Sequence, residues 1–377
     1  MGRVRNPLAP SALQVWAAED TSVQLTWGTL PAGRVAIEAG GRRIAVEHPG
    51  GPGSIELGEL EPATRYRIDV RFPGGHDRLA ATTLAPPPGR ALSRIATISD
   101  LHLGSTNWGA SKLMTDRSGD DVPFPTRCAR AAITEAIEWG AELLVVKGDA
   151  AHHQDPDHFH EVGRLLDAFD ELPVLLIPGN HEVDGRCDIP VPAKVGERGI
   201  PYVRGAACED LMGLRVIVAD TTVPGLGTGS LDRVGADVVD LAAVSPGPYL
   251  LGIHHQLQPG RLPTHYPLGI AGPASTDFLD ELAMANDRGL VTSGHTHRNR
   301  TRRHGPLVLT EVASVRDWPG VWAGYAVHEG GIRQVIRRAA APEAMAWHEY
   351  SRRALLGGWG RWAIGSLEQR CFTHPWP

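Results

Sequence analysis

Five short blocks hold most of the side chains in this chain that could do chemistry together: Asp100-Leu101-His102, Gly148-Asp149, Gly179-Asn180-His181-Glu182, Ile253-His254-His255 and Gly294-His295-Thr296-His297. Each sets oxygen or imidazole donors at the end of an apolar run. Carboxylate, amide oxygen and imidazole together suit divalent first-row cations. Asp100, His102, Asp149, Asn180, His254, His295 and His297 make seven donors. With one aspartate shared, that number suits two ions held about 3.5 to 4 Å apart. The chemistry expected of such a pair is hydrolysis of a phosphate ester.

The spacing within each block supports this. Asp100 and His102 lie two residues apart, so they project the same way from a strand end and can reach one ion. Gly148 allows a sharp turn ahead of Asp149, whose carboxylate has two faces and can bridge two cations. An amide oxygen is a weak ligand, and Asn180 suits a site whose net charge must stay low. His181 beside it can donate to a substrate oxygen. The chain has 17 histidines, so some clustering arises by chance. His152, His153, His158 and His160 accordingly read as structural.

The elements that must position these blocks follow from periodicity. Apolar runs at 95–98, 143–146, 174–177, 216–218 and 249–253 recur at intervals of several tens of residues, with helix-period stretches at 126–139, 158–169 and 275–285. Buried strands alternating with helices predict an α/β fold with its ligands at the carboxyl ends of the strands. Segments 307–310, 324–328 and 332–336 read as antiparallel strands. Residues 13–84 differ: short alternating segments broken by Gly, Pro and Asp predict an all-β module. Trp27, and Tyr66 near a strand start, make that module similar to a fibronectin type III domain, with the tyrosine capping a corner. Pro86-Pro87-Pro88-Gly89 cannot continue a strand ladder and marks the boundary. The expected organisation is a β-sandwich at 8–85, a Pro-rich linker at 86–93, a catalytic domain at 94–340 and an extension at 341–377. Trp347, Trp359, Trp362 and Trp376 give that extension enough aromatic surface to pack on the catalytic domain.

Composition sets the remaining bounds. At 377 residues the length suggests two domains, and 42% hydrophobic with 21% charged residues is ordinary for a globular protein. A net charge of -6 argues against a dedicated nucleic-acid binder. The one locally basic run, Arg298, Arg300, Arg302, Arg303 and His304, reads either as an anion-facing strand or as a charged edge. Residues 1–20 lack the apolar core of a secretory signal, and no stretch of 18 apolar residues occurs. Cys128, Cys187, Cys208 and Cys371 are scattered and read as reduced thiols, though Cys187 and Cys208 flank one loop region. The expected location is cytoplasmic and the expected partner a small phosphorylated substrate, with no membrane and with oligomeric state left open.

In their order, the five blocks resemble the calcineurin-like metallophosphoesterase superfamily over residues 94–340. The resemblance implies a four-layer α-β-β-α sandwich with a dinuclear site at its rim, preceded here by the fibronectin type III-like sandwich. It implies Asp100, His102, Asp149 and His297 at the first ion and Asp149, Asn180, His254 and His295 at the second. Asp149 would bridge. His254 is favoured over His255 because the first of such a pair is the family's ligand, leaving His255 to orient substrate or line the cleft. The ions would be manganese, iron or zinc, and between them would hold an acidified water for attack on phosphorus. His181 and Asp149 would be the catalytic residues, the first stabilising developing charge or protonating the leaving oxygen and the second holding the nucleophile. A fibronectin-like module also precedes purple acid phosphatases, but those have no histidine in the first block and carry a tyrosine where this chain has His152. The ligand set looks instead like bacterial class III phosphodiesterases. A nuclease of the same superfamily and a catalytically inactive scaffold are the alternatives.

Overall fold

The computed structural model describes residues 8–109, 114–187, 189–260 and 266–377. Residues 1–7 of the N-terminal segment read for a signal lie outside the described residues, as do Asp188 and residues 261–265.

The N-terminal module is an all-β sandwich. Gln14–Ala18, Val23–Leu30 and Gly51–Leu57 form one antiparallel sheet, and Arg42–His48, Gly33–Ala39, Arg65–Phe72 and Gly75–Thr82 form the other in that order. Alternation decides which side chains meet between them: Leu25, Trp27, Val35, Ile37, Ile68 and Val70 are all buried. The Tyr66 hydroxyl accepts the backbone N–H of Glu61 at 2.8 Å, closing the corner before its strand. The arrangement is consistent with a fibronectin type III-like domain.

Residues 83–90, which contain the proline run, hold no strand or helix. The next strand, Ala91–Ile98, starts inside the segment read as linker. Two six-stranded sheets follow. The first runs Val174–Ile177, Leu143–Lys147, Ala91–Ile98, Val321–His328, Gly331–Arg338, Cys371–Pro375. The second runs Ala206–Leu211, Leu214–Ala219, Tyr249–Ile253, Gly289–Ser293, Leu307–Glu311, Arg300–His304. Leu307–Glu311, expected to be antiparallel, is parallel to Gly289–Ser293 and antiparallel only to its hairpin partner Arg300–His304.

Strand alternation builds the layers. Leu144 and Val146 meet the helices Phe124–Glu138 and Pro156–Asp167, while Leu143 and Val145 face the second sheet. Val216 and Val218 face the first sheet, whereas Ile217 and Ala219 meet Gly235–Ala243 and Gly272–Ala285. Four layers, α-β-β-α, result. Each fully buried Val, Leu or Ile contributes roughly 1.5–3 kcal/mol, so the three apolar layers dominate stability.

The extension after residue 340 completes this body. Cys371–Pro375 is the outer strand of the first sheet, and Trp347 stacks on Phe124 at 3.8 Å between ring centroids. The sandwich docks on the same side. Trp16 is fully buried and meets Trp318 edge-on at 6.1 Å, while Glu19 takes Arg333 at 3.1 Å and Arg337 at 2.6 Å. The Gln24 side-chain amide bonds the main chain of Arg338 twice, at 2.9 and 3.0 Å, across the junction. All four cysteines are free, so Cys187 and Cys208 do not pair. Among the described residues no helix is long and apolar enough to cross a membrane.

Candidate metal centre

Five strand ends meet at one rim. Ala91–Ile98, Leu143–Lys147 and Val174–Ile177 run parallel in the first sheet, and Tyr249–Ile253 and Gly289–Ser293 do so in the second. Their carboxyl ends therefore deliver all five blocks to the same edge. The backbone there is strained. Asp100, His102, Asp149, His295 and His297 have φ of 57°, 47°, 49°, 66° and 50°. They are five of the nine non-glycine residues with left-handed backbone among the described residues. Each such residue costs about 1–3 kcal/mol, which the rigid sheets above must impose. The blocks also crowd one another. A Cβ on Gly148 would fall 2.7 Å from the Gly179 nitrogen and from His254 Nδ1. On Gly294 it would fall 2.7 Å from an Asp100 oxygen.

The carboxylate of Asp149 occupies the middle. Its Oδ2 lies 3.6 Å from His102 Nε2 and 3.4 Å from His254 Nε2, and its Oδ1 accepts the His181 N–H at 2.9 Å. On one side Asp100, His102 and His297 bring donor atoms within 4.8 Å of one another, with His297 Nε2 3.3 Å from Asp100 Oδ1. On the other, His254, His255 and His295 do the same, and Asn180 Oδ1 lies 3.2 Å from His254 Nε2. All seven residues expected as ligands thus come together.

The residues fit a pair of cations. His102 Nε2 is buried without a hydrogen-bond partner, as expected of an atom reserved for another ligand. Burial would raise Asp100, but His297 holds it down to about 2. Burial would also raise Asp149, yet His254 and then His181 hold it well below the carboxylate range. Burial pushes His102 well below its ordinary value and His295 down to about 4, leaving both neutral with lone pairs to share. Against burial, Asp149 lifts His254 to about 9, and Asp317 and then Asp100 lift His297 to about 10. The field that raises these two attracts any positive charge.

Several supporting groups escape sequence reading. Asp317 Oδ1 sits 2.7 Å from His297 Nδ1 and orients that ring, and the Lys147 carbonyl does the same for His254 at 2.8 Å. Glu182, present in a block but given no role, accepts the N–H groups of Asp149, Gly179 and Ala151 at 3.0, 2.8 and 2.7 Å, fixing two blocks against each other. Burial, then the Asp149 charge, push it up to about 8. His152, read as structural, places Nδ1 3.3 Å from His102 Nδ1, and its carbonyl accepts from His181 Nδ1 at 2.6 Å. Arg316 is buried at the cleft, with Nη1 3.3 Å from Ser105 Oγ.

One expectation is corrected. His255 does not line the open cleft; it is fully buried beside His254 and His295, with Nδ1 on Thr221 Oγ1 at 2.9 Å and Nε2 without a hydrogen-bond partner. Of the two readings of the arginines after His297, the structure supports the charged edge. Arg302 is spent on Glu311 at 2.7 Å, and Arg298 lies 3.9 Å from the Trp362 ring centre, so the strand is a charged sheet edge.

A family model described as calcineurin-like phosphoesterase matches residues 93–299, more than half of the chain. The chain belongs to the calcineurin-like phosphoesterase family. Membership supports a metal-dependent hydrolase of phosphoesters, and the matched span ends just beyond the last expected ligand, His297. Among solved structures, the chain is similar to one described as the structure of PhoD, at 11% identity over 88% of this chain and 86% of that one, TM-score 0.41. It is similar to a conserved uncharacterized protein of Streptococcus pneumoniae TIGR4 at 11% identity over 67% and 95%, TM-score 0.31. It is also similar to chicken CNTN1 FN1-FN3 domains at 20% identity over 20% and 30%, TM-score 0.17. No curated protein matches the chain.

Proposed function

We propose that this chain is a dinuclear-metal-dependent phosphoesterase that hydrolyses a phosphodiester or phosphomonoester. The observation that carries the reading is the Asp149 carboxylate, set between His102 at 3.6 Å and His254 at 3.4 Å, each belonging to a separate donor cluster. Asp100, His102, Asp149 and His297 would hold one ion and Asp149, Asn180, His254 and His295 the other. Bound there, the pair of manganese, iron or zinc ions supplies charge for the phosphoryl oxygens and acidifies a water.

The remaining work falls to the chain itself. His181 donates Nδ1–H to the His152 carbonyl, which leaves Nε2 to exchange a proton with the leaving oxygen. Arg316 supplies a fixed positive charge at the cleft for the phosphate. Glu182 keeps the Asp149 backbone in its left-handed conformation through the hydrogen bond from Asp149 N. The test is hydrolysis of an aryl phosphate ester with added manganese. Asp149→Ala and Asn180→Ala are each expected to abolish it, and activity surviving both changes contradicts the assignment.

A further inference from the structure

The cleft beside the histidines, about 610 Å³ in volume, has two chemically different walls. Asp149, Asn180, His181, His295 and His297 line one. Trp108, Tyr266, Leu268, Leu355 and Trp359 line the other. A volume of this size accommodates one small organic group. Tyr266 is 81% exposed and Leu355 67%, and large apolar side chains left in water beside a polar centre mark a surface that meets a ligand.

The apolar wall is built, not incidental. Leu355 and Leu356 take φ of 51° and 55°, a left-handed conformation disfavoured for leucine, in a turn from the C-terminal extension. Trp359 from the same extension packs 5.4 Å from Trp108. Its indole N–H donates to Asp317 Oδ2 at 3.2 Å and to the Trp318 carbonyl at 3.1 Å. Asp317 also orients His297, so one carboxylate fixes the apolar wall relative to the ligand wall.

We propose that this wall binds the alcohol portion of the substrate, and that this portion is an apolar, ring-sized group such as an aryl ring. The inference rests on the phosphoesterase reading and adds the class of ester. The Leu268 and Leu355 side chains are hydrocarbon and the Trp359 N–H is already committed, so an apolar group is the better match to this part of the cleft. An aryl ring loses nothing there and gains burial against two indoles.

The test titrates phenylphosphonate and methylphosphonate, neither of which is hydrolysed, into the manganese-loaded full chain and reads heat and tryptophan fluorescence. Phenylphosphonate is expected to bind about tenfold or more tightly than methylphosphonate and to change the fluorescence. Leu355→Ser and Tyr266→Ala, both at exposed positions, should narrow that ratio. Met284→Ser, at a position 80% exposed on the helix Gly272–Ala285, should not. Equal affinity for the two phosphonates, or a ratio unchanged in the Leu355→Ser, Tyr266→Ala double variant, overturns this inference while leaving the phosphoesterase reading standing. If neither phosphonate nor inorganic phosphate binds, that reading fails and the inference with it.

Discussion

At the junction between the sandwich and the sheets, buried carboxylates meet guanidinium groups of the same chain; at the rim, Asp100 and Asp149 meet histidines instead. Glu19 is shared by Arg333 and Arg337, with the exposed Glu56 also on Arg337, and Glu349 pairs with Arg338 at 3.0 Å. Asp100 and Asp149 are equally buried, yet among the described residues their partners are histidines and backbone N–H groups. The backbone differs in the same sense. Five left-handed residues crowd the rim, while none of Glu19, Gln24, Arg333, Arg337 or Arg338 has a positive φ. The junction pairs its carboxylates with permanent cations, whereas the rim pairs them with histidines that can give up a proton on strained backbone, a combination that suits stability in the first case and exchange for cations in the second.

The largest expected break in this contrast comes from Asp149→Ala. Metal-dependent hydrolysis should fall by roughly 10³-fold or more, while the fold survives, because the backbone of residue 149 stays held by Glu182 and the neighbouring histidines can turn neutral. Loss of folding in that variant would mean the rim is a structural cluster after all. Glu19→Ala should do the opposite. It strands two buried arginines, and with Asp20 and Glu56 as remaining partners the cost sits near the low end for a broken buried pair, about 3 kcal/mol. Urea unfolding reads that loss, and kcat/KM of the folded fraction should stay within about twofold.

Asp317→Asn sharpens the rim side. It removes the carboxylate that orients His297, and weakening metal binding by about 10- to 100-fold with the fold intact is the expected result. Competition with a chelator measures it.

The smallest effect concerns acid. Burial would raise Glu349, but Arg338 and then Ser11 outweigh it and hold its carboxyl below the ordinary 4.5. A carboxyl lowered in the folded state contributes stability above pH 4.5 that is lost as pH falls through its folded value. Melting curves between pH 7 and 3 should show that loss, and Glu349→Gln should flatten it; an unchanged acid limb would remove Glu349 from the account.

How far the sequence leads depends on the range of the interaction. The strand ends at Ile98, Lys147, Ile177, Ile253 and Ser293 are legible because apolar alternation and the blocks after it are local. The fibronectin-like module is legible for the same reason, through Trp27 and Tyr66. What joins distant segments is not. Asp317 meets His297 only once a hairpin and a loop have folded between them, and Arg316 carries no local pattern that sets it apart from Arg298 or Arg300. The Trp-rich extension is legible as packing material, yet its outer strand Cys371–Pro375 depends on pairing with Gly331–Arg338 and its wall beside the ligands on meeting Trp108 from far earlier in the chain. His255 shows the same limit from the other side, since adjacency to His254 says nothing about which ring points inward.

The central claim is that the rim holds two ions with Asp149 between them. The most direct measurement is metal analysis of the full chain after equilibrium dialysis against manganese, alongside Asp149→Ala. The account predicts about two ions per chain, with both lost or weakened together in the variant. Fewer than one ion per chain under metal-replete conditions, or a variant that still binds two, would contradict it.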